Sequence, residues 1–188
     1  MTLSAPLSNR ATPAITVSIG HRLAALAGLL CLLCALLAGS FSAAAQDRVG
    51  PSGNPIPRFV SLDTDRAYMR SGPGTQYPVD WVYQRRDLPL KVVDEHGPWR
   101  QVEDHDGTKG WIHVQLLSGR RTAMITGHTR RLHHAPDPTA PVAIIAEAGA
   151  IGTLSGCEMD WCALTLQGRE GWLRRAHIWG VLPGERPE

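Results

Sequence analysis

From Phe59 to the C-terminus, hydrophobic positions come in short runs, broken by turn residues about every 8–12 positions. No window keeps a helical period, so the pattern predicts an all-β chain. In "LPLKVVDE", apolar and polar residues alternate from Leu88, the mark of a half-buried strand. "WRQVEDH" continues it after a short turn. Asp106-Gly107 is a hairpin signal. "KGWIH" then supplies a closing strand, and "VQLL" a single helical turn. The best helical candidate, Ala140 to Ala150, contains Pro141 and Gly149 and is rich in β-branched residues, so it too is expected to be strand.

The pattern occurs twice. The first unit holds "YMRSGPGTQYPVDWVYQRRDLPLKVVDEHGPWRQVEDHDGTKGWIHVQLL". The second holds "RRLHHAPDPTAPVAIIAEAGAIGTLSGCEMDWCALTLQGREGWLRRAHIWG". Pro73 aligns with Pro136, Pro78-Val79 with Pro141-Val142, Trp99 with Trp161, and Gly110-Trp111-Ile112 with Gly171-Trp172-Leu173. The offset drifts only from 63 to 61, so the copies differ by short turn deletions. Each copy is expected to contain about five short strands and one long early loop, "RSGPGTQYP" in the first.

The first fifty residues follow another pattern. Arg10 and Arg22 are the only charged side chains before Gln46; "LAALAGLLCLLCALLAG" follows Arg22, and small residues stand at Ala43 and Ala45. A basic lead, an apolar core and an Ala-x-Ala-like site predict a signal peptide, 1–45, cleaved before Gln46. The apolar run falls short of the ~20 residues of a membrane span, and Cys31 and Cys34 follow leucines rather than the small residue a lipidation site needs. The expected protein is periplasmic or secreted, with no stable membrane anchor after cleavage. Gln46 to Arg58, rich in Pro and Gly, is expected to be a flexible leader (46–58).

Composition sharpens this picture. At 43% hydrophobic and 19% charged, the chain has an ordinary globular balance. Cleavage removes Arg10 and Arg22, which leaves Lys+Arg equal to the 17 acids and takes the formal charge from +2 to nil. A neutral protein has no global field to draw in nucleic acid, so no nucleic-acid partner is expected. Cleavage also leaves Cys157 and Cys162 as the only cysteines, outside the reducing cytoplasm.

The "MRSGPGTQYPV" segment, the "GPWRQV" strand and the terminal "GWIHVQLL" resemble the bacterial SH3-like (SH3b) domain of exported proteins. The resemblance is strongest in the first unit, 59–119; the second, 123–180, lacks the early glycines, and 181–188 is a tail. It implies two tandem small SH3-like β-barrels, modules for recognition rather than catalysis, often attached to cell-wall enzymes.

The candidate chemistry agrees with that implication. "CEMDWC" lies over "EHGPWR", which places Cys157 on Glu95 and Cys162 on Arg100 at the two ends of a tight turn. Opposed residues in such a ladder stand ~4.5–5.5 Å apart at Cβ, so a disulfide is expected. In the first unit the same positions are expected to pair weakly by charge. Redox catalysis normally uses Cys-x-x-Cys at a helix start, and a zinc site would need ligands beyond the adjacent His133 and His134. No Ser elbow, P-loop or His-Glu-x-x-His motif is present, so the chain is read as a non-enzyme with no catalytic residue, metal or cofactor. Acid pairs such as Asp104/Asp106 flank a turn and are expected to be solvated, as are the basic clusters Arg120-Arg121 and Arg130-Arg131 near the junction.

Trp99/Trp161 and Trp111/Trp172 recur and suit repeated packing. Tyr68, Tyr77, Trp81 and Tyr83 occur only in the first unit, around its long loop. A groove lined by Tyr68, Tyr77, Trp81 and Trp99, with Arg70 as a carboxylate partner, is the candidate binding site, and ordinary rim packing is the competing explanation. The expected partner is a peptidoglycan peptide or a segment of an envelope protein. The alternatives are an assembly role in the envelope and an accessory part of a wall hydrolase.

Overall fold

The computed structural model describes residues 48–187. The expected signal peptide lies outside them. Strands β1 (Arg48–Val49) and β2 (Pro55–Ile56) pair as a small hairpin. β3 (Arg58–Leu62), β4 (Ala67–Arg70), β5 (Val79–Tyr83), β6 (Pro89–His96), β7 (Trp99–Glu103), β8 (Lys109–His113) and β9 (Leu117–Ser118) follow. They form one antiparallel sheet in the order β5-β4-β8-β7-β6-β3-β9. The second unit supplies β10 (Thr122–Ile125), β11 (Arg130–His133), β12 (Val142–Ala146), β13 (Ile151–Glu158), β14 (Trp161–Leu166), β15 (Arg169–Arg174) and β16 (Ile178–Trp179). Their order, β12-β11-β15-β14-β13-β10-β16, reproduces the first sheet strand for strand.

The repeat extends to irregularities. β6 bulges against β7 between Val92 and Asp94, and β13 bulges against β14 between Leu154 and Gly156. A single 3-10 turn, Val114–Leu116, leads into β9, where one helical turn was expected, and Arg175–His177 repeats it before β16. Ala140 to Ala150 contains β12, a strand as its β-branched composition predicts. Among the described residues there is no α-helix. The expected barrels are not closed: each seven-stranded order has two free ends, β5 with β9 and β12 with β16.

Alternation sets the cores. Leu90 and Val92 of β6, Val102 of β7 and Ile112 of β8 are fully buried beside Leu62 and Met69. Leu132, Leu154, Leu164 and Leu173 stand at the positions of Met69, Val92, Val102 and Ile112 in the second sheet and are buried there. The two cores touch, because Met124 of β10 packs into the first one and Ile151 lies against it. Phe59 and Trp179 meet edge to face at 5.1 Å, and Trp179 Nε1 donates to the Pro89 carbonyl at 3.1 Å. Arg120 pairs with Asp87 at 2.9 Å, and Arg121 pairs with Glu185. Arg120 and Arg121 are therefore paired, where solvated linker charge was expected.

The leader also departs from expectation. β1 and β2 fold back along β6: Arg48 pairs with Asp94 at 2.8 Å, Ile56 is buried, and Ser52 donates to Glu95 from both its N–H and its hydroxyl, each at 2.8 Å. Pro and Gly here shape a tight hairpin. The polar groups that made the segment look flexible find their partners on the first sheet.

Candidate functional site

The turns that close β6-β7 and β13-β14 are the same structure with different chemistry. Cys157 and Cys162 are register partners and form a disulfide. Glu95 and Arg100 are register partners too. The charge pair, expected to be weak, is buried. The Glu95 side chain is only 1% exposed and meets Arg58 at 2.7 Å and Arg100 at 3.2 Å. Burial alone would raise its carboxyl pKa, but hydrogen bonds from Ser52 and Arg58 outweigh it and hold the group below its ordinary value. At the turn itself, Gly97 has φ 51° and its counterpart Met159 φ 47°. Glycine takes this left-handed backbone freely; Met159 takes it against steric strain.

The long loop of the first unit lies between β4 and the edge strand β5. Tyr68, Tyr77 and Trp81 are 42%, 40% and 55% exposed, among the most exposed large apolar residues described. The ladder separates two of them. Tyr68 pairs with Val82 and Met69 pairs with Trp81, so Tyr68 and Trp81 leave opposite faces of the β4-β5 ribbon. The ring of Tyr77 lies over Gly72, where a Cβ would come within 2.5 Å of it. Trp99 is buried, edge to face with His113 at 5.3 Å, and forms no exposed groove wall. Arg70 donates to the carbonyls of Thr75 and Tyr77 at 3.2 and 2.6 Å, so its guanidinium braces the loop. These residues do not converge on one groove. They form an exposed aromatic edge around β5, stiffened from within by Arg70.

His133 stands where Arg70 stands, and its Nδ1 lies 2.7 Å from the Ala140 carbonyl, the counterpart of the Tyr77 carbonyl. Two chemically different side chains thus hold the same loop at the same point. The constant offset of 63 between the pairs Arg70/Tyr77 and His133/Ala140 was the available signal for this bracing role.

Asp104 is also unlike its expectation. It is 5% exposed, accepts from the Tyr83 hydroxyl at 2.8 Å, and accepts from the N–H groups of Asp106 and Thr108 at 3.0 and 2.9 Å. It organises the β7-β8 turn. Burial, then Asp104, pushes the Tyr83 phenol well above its usual range. Asp104, His105 and Asp106 are close enough to share an ion, but these hydrogen bonds already account for both Asp104 oxygens.

Three solved structures are similar. NlpC2 from Trichomonas vaginalis is 10% identical, with 65% of this chain covering 48% of that one at a TM-score of 0.31. An NlpC/P60 family protein from Bacillus cereus is 13% identical, with 64% covering 55% at 0.30. NlpC1 from T. vaginalis is 11% identical, with 65% covering 45% at 0.32. The chain spans about half the length of these proteins. No curated protein matches the sequence. The family model described as bacterial SH3 domain matches twice, at residues 63–119 and 130–180. Two matches in tandem, over two sheets of identical strand order, make this chain a member of the bacterial SH3 domain family.

Proposed function

We propose that the protein is an exported, non-catalytic binding module that takes an extended peptide, of peptidoglycan or of an envelope protein, along the β5 edge of the first unit. The observation that carries this is the exposed trio Tyr68, Tyr77 and Trp81 around an edge strand. An edge offers unpaired main-chain donors and acceptors to an added strand, and aromatics on both faces supply contact area for its alternating side chains. Arg70 keeps the loop in place, which lowers the ordering cost of binding. The disulfide supports an oxidising compartment, and the N-terminal apolar segment supports export to it.

Co-sedimentation with purified sacculi tests the wall-peptide form. The wild-type protein is expected in the pellet, and Tyr77→Ala/Trp81→Ala in the supernatant with its fold intact. A folded double variant that still sediments like wild type contradicts the role of this edge. Failure of the wild type to sediment moves the ligand to a protein segment.

The ordered seam favours a second reading, a fixed pair of modules for an envelope assembly. Met124 in the first core and Trp179 on Phe59 hold the two sheets together.

A further inference from the structure

The second unit lacks the aromatic edge. Arg131, Ala140 and Ile144 stand at the positions of Tyr68, Tyr77 and Trp81, and cations gather instead around a hollow of about 350 Å³, lined by Arg130, Arg131, His133, Trp161, Arg174 and His177, with Pro138 and Leu173 as apolar wall. Trp161 organises the cluster. The Arg174 guanidinium lies 4.5 Å from its ring centroid, and the His133 ring meets it edge to face at 6.0 Å. His133 is fixed by the Ala140 carbonyl.

Arg130, Arg131 and Arg174 form no ion pair among the described residues. The nearby acid, Asp137, accepts the N–H and hydroxyl of Thr139 at 2.7 and 2.8 Å on Oδ1, and its charge acts on His133 rather than on the arginines. His177 titrates below its ordinary value, through burial and then through the positive field of Arg130, His128 and Arg174. Like charges gathered around one hollow repel one another, and a bound anion relieves that repulsion.

The first unit shows that the cluster is not a by-product of the fold. Ala67, Tyr68, His113 and Leu116 occupy the positions of Arg130, Arg131, Arg174 and His177.

We propose that this hollow is a carboxylate-binding site that takes the free C-terminal end of a peptide. Arginine forks match a carboxylate in two parallel hydrogen bonds, and a guanidinium stacked on an indole is already oriented for them. The apolar wall of Trp161, Leu173 and Pro138 suits a charge carried at the end of a hydrocarbon stem. A peptide terminus has such a stem, and a free phosphate does not. The site stands apart from the β5 edge and does not depend on it.

Calorimetric titration of the disulfide-intact protein tests the proposal, with N-acetyl-alanyl-alanine, its C-terminal amide and inorganic phosphate as probes. The acid is expected to bind at least tenfold more tightly than the amide and more tightly than phosphate. Arg131→Gln/Arg174→Gln is expected to reduce acid binding at least tenfold while the protein stays folded. Tyr77→Ala/Trp81→Ala is expected to leave it unchanged, which separates this site from the peptide edge. Equal binding of acid and amide, no binding of either, tighter binding of phosphate, or full binding by the folded double-arginine variant overturns the assignment.

Discussion

The two β-turns at the ends of β6-β7 and β13-β14 solve one problem in two ways. Each must hold a pair of opposed residues where a long strand pair leaves the body of its sheet. The second unit joins Cys157 to Cys162 covalently. The first uses the buried Glu95–Arg100 pair, and needs more help. Arg58 and Ser52 must complete the carboxylate's hydrogen bonds, so the leader hairpin has to fold over it. A disulfide needs no such partners. The difference shows that a repeated backbone does not imply a repeated interaction, and that an ionic solution recruits neighbouring chain where a covalent one does not.

Removing one side of the ionic clamp should have the largest effect. Glu95→Ala leaves Arg58 and Arg100 without their carboxylate, and is expected to cost about 3 kcal/mol in urea unfolding. A cost below about 1 kcal/mol would mean that the cluster is a solvated surface pair. Opening the covalent clamp comes next. Cys157→Ser/Cys162→Ser, or reduction, is expected to cost about 2 kcal/mol, because the closed loop is short. The clamps should also be exchangeable. Glu95→Cys/Arg100→Cys is expected to form a second disulfide on export, read by intact mass as the loss of two hydrogens. Two free thiols there would break the equivalence of the register pairs.

Acid should distinguish the clamps without mutation. The Glu95 pKa is lowered on folding, so the unfolded state binds the proton more readily. The stability from this group is present above its ordinary value of 4.5 and is lost as pH falls through the depressed folded value. Unfolding midpoints should therefore fall below about pH 4.5, and by less in Glu95→Gln. The disulfide does not titrate and contributes nothing to this slope. The smallest effect is expected at the turn itself. Met159→Gly should relieve the left-handed strain and, after its own entropy cost, stabilise by about 0.5 kcal/mol.

Much of the fold could be read from the sequence because its signals are local or repeated. Trp99 over Trp161 and the Gly-Trp pairs set the register, and the register alone placed Cys157 opposite Cys162. The burial of Glu95 and Asp104 could not be read this way. A carboxylate beside a turn is normally solvated, and what buries Glu95 is a hairpin whose Ser52 lies 43 positions earlier and whose Pro and Gly content resembles a linker. The candidate site was half legible. The exposed aromatics are where the sequence placed them, but the parity of β4 and β5 sends Tyr68 and Trp81 to opposite faces, and Arg70 is turned inward by a loop whose path only the tertiary structure defines.

The most direct test of the proposed function is amide chemical-shift mapping of the disulfide-intact protein titrated with soluble wall peptides. Amides of the long loop and β5, residues 71–83, are expected to shift first and saturably, and Tyr77→Ala/Trp81→Ala is expected to abolish those shifts. Saturable shifts that bypass residues 71–83, or that persist unchanged in the folded double variant, would contradict the proposed function.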